Sequence, residues 1–243
     1  MLELHALPGL PEIRPGDDLA ALLAAAAGEF APGDVLAVAH KVVSKAEGRI
    51  VHLADVTPGP RALALAAEHG KDPRHVEVVL SETAELVRAD AGRLICRTRH
   101  GFVCANAGVD ASNAGAPDTL ILLPLDPDAS ARALRAALPG NPAVIVTDSF
   151  GRAWRQGQCE VAIGVAGLTP LQDWRGLPDS GGRQLNATVI AVADEAAAAA
   201  DLVRAKDSRE PAVRLRGLDR HITPDDGPGV AALIRPWAQD LFR

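Results

Sequence analysis

A chain of 243 residues can bury a sizeable core as one large domain or two small ones. Hydrophobic residues make up 48% and charged residues 23%, with no long run of one sign, which is the balance of a soluble globular protein. A net charge of -6 and an isoelectric point near 5.6 argue against broad nucleic-acid binding or an acidic membrane partner, while a local basic pocket stays open.

LELHALPGL predicts a short strand running into a Pro/Gly loop, and GDDLAALLAAAAGEF a helix opened by Asp17 or Asp18. DVLAVAHKVVSK reads as a strand with a polar exit, and RIVHLADV as another. PGPRALALAAEHG starts with proline and stops at Gly70, a helix marked at both ends. DPRHVEVVLSETAELVRAD predicts a further helix, although its β-branched residues lower the propensity. GRLICRTRHG and GFVCANAG form a hairpin around His100-Gly101. TLILLPL is a short apolar run, DASARALRAAL a helix capped by Asp128 or Ser130, and PAVIVT a strand. CEVAIGVAGL and ATVIAVAD predict strands, DEAAAAADLVRAK an alanine-rich helix, AVRLRGL a last strand, and GVAALIRPWAQDLF a terminal helix. Strands and helices interleave without a strict βαβ rhythm, so the expected class is α+β (mixed α/β) rather than a doubly wound sheet. With no internal repeat and no Ser/Gly linker, the chain is expected to be a single unit over residues 1–243.

Several chemistries are disfavoured. Cys96, Cys104 and Cys159 are odd in number and widely spaced, which suits reduced thiols better than a disulfide framework or a zinc site. The seven histidines form no zinc pattern, and Ser149 lacks the G-x-S-x-G elbow of an α/β-hydrolase. Neither a Walker A loop nor a G-x-G-x-x-G fingerprint occurs. The start of the chain lacks a basic segment followed by an apolar one, and no window approaches the roughly 18 apolar residues of a membrane span, so a cytoplasmic location is expected.

Three loops concentrate polar chemistry. TDSFGRAWRQG places Asp148, Ser149, Arg152 and Arg155 just after the apolar run NPAVIV. A carboxylate beside a hydroxyl at a strand end suits a hard cation such as Mg²⁺ or Mn²⁺, and the arginines suit phosphate or carboxylate oxygens; the plainer alternative is a turn cap with solvated arginines. CANAGVDASNAG offers Asp110, Ser112 and Asn113 in a small-residue loop, either as a second set of cation ligands or as an Asx-type turn. HKVVSKAEGR sets Lys41 and Lys45 around Ser44, which suits a polyphosphate or a solvated basic loop. DWRGLPDSGGRQL and KDSREP are weaker candidates for a closing loop and a phosphate contact.

Taken in order, GLPEIRPGDDL, VVSKAEGRIV, NAGVDASN, DSFGRAWRQG, the D-W-R-G loop and VADEAAAAADL resemble the coenzyme F420-0:L-glutamate ligase (coenzyme F420 γ-glutamyl ligase) family, from about residue 7 to about residue 218. That resemblance implies a GTP-dependent amide ligase that adds L-glutamate to coenzyme F420-0 and then further γ-linked glutamates. It implies two divalent ions, Mg²⁺ or Mn²⁺, potassium as an aid, two interlocked parts and a homodimer. Leu10, Pro11, Glu12 and Ile13 would line the guanine end. His40, Lys41, Lys45 and Asn113 would meet the nucleotide, with Lys206, Asp207, Ser208 and Arg209 in the late phosphate loop. Asp110, Asp148 and Ser149 would hold the metals, and Arg152 or Arg155 the acceptor. His40 departs from the small polar residue or Gln frequent in the family, and RAKDSREP lacks the family's glycines. The alternatives are a metal-dependent ligase or kinase for another phosphorylated acid, and a non-catalytic nucleotide-binding regulator.

Overall fold

A computed structural model describes residues 1–241. In chain order the elements are β1 (Glu3–Ala6), α1 (Leu19–Ala27), β2 (Val35–Ala39), α2 (His40–Ala46), β3 (Ile50–His52), α3 (Pro60–His69), α4 (Pro73–Ser81), β4 (Thr83–Asp90), β5 (Arg93–Thr98), β6 (Val103–Ala105) and β7 (Thr119–Ile121). They continue with α5 (Pro127–Ala137), β8 (Ala143–Arg152), β9 (Arg155–Ala166), β10 (Gln172–Asp173), β11 (Val189–Ile190), α6 (Val192–Asp201) and β12 (Ala212–Arg216). The class is α+β, as expected. Among the described residues no helix is long and apolar enough to cross a membrane.

The apolar runs of β2, β8, β9 and β12 build one five-stranded sheet in the order β1-β12-β2-β8-β9. Among the described residues β2 and β8 are its parallel pair, and every other neighbouring pair is antiparallel. Leu36, Ile145, Ile163 and Leu215, one from each of those four strands, are fully buried. Each such side chain contributes roughly 1.5–3 kcal/mol relative to leaving it in water. α5 packs on β8 and β9, and α6 on β9 and β12. A second cluster gathers Val76 and Val79 of α4, Leu94 and Cys96 of β5, and Leu120 of β7 over the three-stranded β4-β5-β6 sheet.

Local signals account for most ends. Asp18 accepts from the Ala21 N–H at the start of α1, Pro60 opens α3, and Gly70 closes it in the left-handed conformation (φ 63°). Six expectations need correction. Residues 49–56 are strand only at Ile50–His52 before a 3₁₀ turn at Leu53–Asp55, and residues 187–194 only at Val189–Ile190, because Val192–Asp194 open α6 with Val192 and Ala193 buried. The segment 34–45 is not one strand, because the chain turns into α2 at His40; His40, Val43 and Ser44 fall inward at i, i+3 and i+4, a helical spacing masked by valines. The segment 72–90 divides into α4 and β4, with the Ser81 and Thr83 hydroxyls donating back to the Val78 and Val79 carbonyls at the break. α5 is capped by Asp126, which accepts from the Ala129 N–H, and not by Asp128 or Ser130. The last segment forms 3₁₀ turns at Val230–Ala232 and Trp237–Gln239 around Pro236, which cannot sit inside a helix; Phe242, at its end, lies outside the described residues.

The cysteines are free thiols. Cys96 and Cys104 are buried partners across β5 and β6, and burial pushes both thiols up. Asp34 is buried beside the start of β2. Burial pushes its carboxyl up, but the two-pronged Arg216 guanidinium (2.8 and 2.9 Å) and the Ala31 N–H hold it below the ordinary range.

Gly164 in β9 lies against the first residue of α5, so that a Cβ there would come within 2.2 Å of the Pro127 carbonyl oxygen. Gly164→Ala must push α5 off the sheet. It is expected to cost about 1–3 kcal/mol in urea unfolding, and a variant as stable as the parent would show that α5 has slack.

Candidate functional site

The parallel pairing brings Ala39 level with Thr147. Beyond that point β2 gives way to α2, whereas β8 continues as a hairpin arm with β9. A cleft of about 1020 Å³ opens there, at the carboxyl ends of the two strands, where open α/β sheets also bind ligands.

One wall comes from the first residues of α2. Lys41 Nζ lies 2.6 Å from Asp110 Oδ2 and donates to Ser112 Oγ at 2.6 Å. Asp110 is fixed in two ways. Its backbone exchanges hydrogen bonds with Ile121 of β7 (3.0 and 2.8 Å), and its Oδ1 accepts from the Ser112 N–H at 2.6 Å. Burial pushes this carboxyl up, yet Lys41 and the Ser112 N–H bring it below the ordinary range. Lys45, almost wholly buried, pairs with Glu12 from the segment 10–13, all four residues of which line the cleft. Asn113, with a left-handed backbone (φ 55°), lines it as well.

The floor is β8. Asp148 Oδ1 lies 3.3 Å from His40 Nε2 and accepts from the Ser149 N–H at 2.8 Å. His40 is buried, and its Nδ1 lies 3.3 Å from Ser44 Oγ. The Ser149 hydroxyl donates to Glu160 Oε1 at 2.5 Å and accepts from Lys206 Nζ at 2.7 Å. Arg204 holds the other side of Glu160, at 2.7 Å, and donates to Thr147 Oγ1 and to the Pro211 carbonyl, each at 3.0 Å.

The late loop provides Lys206, Asp207 and Arg209 to the cleft rim. Ser208 does not line it; its hydroxyl donates to the Ala205 carbonyl and shapes the turn. Arg152 and Arg155 also lie outside the lining, paired across the exposed tip of the β8–β9 hairpin, where Arg152 donates to the Gln156 carbonyl at 2.8 Å. β8 runs on past Thr147 to Arg152, which carries the arginines away from the two carboxylates. In the segment 173–185 the charges are satisfied locally, Asp173 by Arg175 and Asp179 by the Gly181 and Arg183 N–H groups.

Glu160 and Arg204 were not singled out from sequence. The available signal was a lone carboxylate in the apolar run CEVAIGVAGL, which must find a cation if it is to be buried.

Asp110, Asp148 and Ser149 line one cleft, but each has its own partner. Among the described residues no three His, Cys, Asp or Glu side chains gather as a ready-made metal cage. The donor atoms are oxygens, and ligands of that kind suit hard cations that complete their shell with water and phosphate.

A family model described as F420-0:Gamma-glutamyl ligase matches residues 9–217. The coenzyme F420:L-glutamate ligase of Methanopyrus kandleri is 47% identical over 248 residues, covering 100% of this chain and 98% of that protein. Those of Methanothermobacter thermautotrophicus and Halobacterium salinarum are each 44% identical, over 252 and 254 residues, and are covered over 99% of their length.

Because Asp110 is lowered in the folded state, its contribution to stability is complete above the ordinary value of 3.8 and is lost as the pH falls through the folded value. Lys41→Met leaves the burial and removes the ammonium, so the Asp110 titration, followed by carboxyl-carbon NMR, should move upward. An unchanged midpoint would show that Lys41 does not hold this carboxylate.

Proposed function

The chain belongs to the F420-0:gamma-glutamyl ligase family, and on that premise we propose that it joins L-glutamate to coenzyme F420-0 through an amide bond driven by GTP, then adds further glutamates through γ-linkages. It is a ligase of coenzyme F420 biosynthesis. The observation that carries the finer reading is the meeting of Lys41, Lys45 and Lys206 with Asp110 and Asp148 in one cleft of about 1020 Å³, which is ample for a nucleotide.

The chemistry is set by the difficulty of the bond. A carboxylate is a poor electrophile, so its oxygen first attacks the γ-phosphorus of GTP. The bond from that phosphorus to the bridging oxygen breaks, and GDP leaves. In the acyl phosphate so formed, the amine of glutamate attacks the carbonyl carbon and gives up a proton. The bond from that carbon to the phosphate oxygen breaks, and inorganic phosphate departs. Aligning three reactants in one cleft removes much of the entropic part of the barrier.

The residues divide this work between them. Leu10, Pro11, Glu12 and Ile13 border the cleft where guanine is assigned, and Asn113 lines it from the loop whose Gly115 lies against Glu12. His40 and Lys45 line the nucleotide wall, with Lys45 fixed by Glu12. Lys41 keeps Asp110 ionised and in place, then transfers its ammonium to phosphate oxygens when the triphosphate enters. Lys206 and Arg209, with Asp207 between them, meet the far phosphates from the loop. Divalent cations, Mg²⁺ or Mn²⁺, held by Asp110, Asp148 and Ser149 would neutralise charge on the phosphates, with potassium as a further aid. The hairpin tip is three strand residues beyond Ser149, about 10 Å. Arg152 and Arg155 can therefore meet the phosphate linkage of a long acceptor that runs out of the cleft along β8. A homodimer accords with the family resemblance.

Incubation with GTP, F420-0, L-glutamate and Mn²⁺ should release GDP and give glutamyl products resolved by mass spectrometry. GTP binding without turnover would favour a regulator, and GDP release without glutamate transfer would favour a kinase. Asp148→Asn should lower turnover by about 10²- to 10³-fold while leaving the circular-dichroism spectrum unchanged. Near-parental rates would remove Asp148 from the reaction.

A further inference from the structure

Ser149 sits between two charged groups. Its hydroxyl proton is donated to Glu160 Oε1 at 2.5 Å, and one of its lone pairs accepts from Lys206 Nζ at 2.7 Å. A serine hydroxyl has one proton and two lone pairs, so a single lone pair remains. We infer that Glu160 and Arg204, which border the cleft beside Ser149, are a positioning pair that fixes the direction of the Ser149 hydroxyl, committing its proton to Glu160 and leaving an oxygen lone pair free for a cation. This rests on the reading of the cleft as a cation and triphosphate site.

The pair is built for placement. Glu160 and Arg204 are both almost fully enclosed, with side chains 5% and 7% exposed. A buried ion pair does little better than an apolar pair of the same volume, because desolvation offsets the attraction, and so stability alone gives no reason to keep it. Its geometry does give one. Arg204 comes just after α6, where it also lies 3.6 Å from Asp201. It reaches Thr147 on β8, Glu160 on β9 and the Pro211 carbonyl just before β12. One guanidinium thus sets the spacing between the strand that carries Asp148 and Ser149 and the loop that carries Lys206 and Arg209. A planar fork can satisfy several acceptors in fixed directions, which a lysine cannot. Neither residue needs to touch the reacting atoms. Both act through Ser149, as outer groups that orient a metal ligand commonly do.

Glu160→Gln ends the obligatory acceptance of the Ser149 proton, since an amide can turn its NH₂ toward the hydroxyl. Mn²⁺ binding to the full chain with GDP present, followed by electron paramagnetic resonance of free Mn²⁺, should weaken by about 10- to 100-fold. Combining Glu160→Gln with Ser149→Ala should add nothing to the larger single effect, because the two residues act in series. The double variant Glu160→Leu/Arg204→Met tests the structural alternative: the buried Thr147 hydroxyl and the Pro211 carbonyl lose a donor, so its melting temperature should fall by only about a few degrees while Mn²⁺ affinity falls as in Glu160→Gln. Parental Mn²⁺ affinity in Glu160→Gln or in the double variant, or additive losses with Ser149→Ala, would overturn the inference. A parent chain that binds no Mn²⁺ with GDP would instead remove the cation reading on which it rests.

Discussion

The parallel pairing of Val35–Ala39 with the first half of β8 is the constraint on which the site depends. Two strands that run the same way end on the same side, so their continuations are brought together. After Ala39 the chain coils into α2, with His40 and Lys41 in its first turn; after Thr147 it stays extended, because β9 continues to pair with it. A turning chain beside a straight one leaves a gap, and that gap is the cleft. The 3.3 Å approach of His40 to Asp148 has its origin in the same register, since each is the next residue after a matched pair.

The charges around the gap are matched in advance. Lys41 has Asp110, Lys45 has Glu12, and Arg204 has Glu160. A ligand that brings phosphates and cations therefore exchanges one set of ion pairs for another at Lys41 and Lys45, and gains less there than two free lysines would suggest. Discrimination benefits, because a ligand with the wrong arrangement of charge breaks internal pairs without replacing them. The net charge of -6 says little about what enters the cleft, because a ligand there meets the local pairs first.

Much of this was legible in the sequence, and the gaps have physical causes. Asp110, Asp148, Lys41 and Lys45 stood out because each belongs to a short polar stretch of sequence beside an apolar run, and all four line the cleft. The limits of α3 were readable because proline and glycine act through the local backbone. α2 was hidden because Val42 and Val43 favour strands, and only tertiary burial of His40, Val43 and Ser44 settles the helical choice. The break after α4 was hidden because a helical stretch and a strand adjoin without glycine or proline between them. The arginines at 152 and 155 were close to Asp148 in number but not in space, since an extended strand separates side chains that a turn would gather. Glu160 and Arg204 could not be paired from sequence because 44 positions separate them, and only the sheet brings them together.

The strand order carries a consequence for how the chain is made. β1 has β12 as its neighbour, and β12 also covers the outer edge of β2. On the ribosome the first strand therefore emerges some two hundred residues before its mate, and an apolar edge of the central sheet stays open throughout that time. Such an edge is a template for wrong pairing with other nascent chains. Synthesis of residues 212–216 is thus the event that covers the edge of β2 and brings β1 into the sheet.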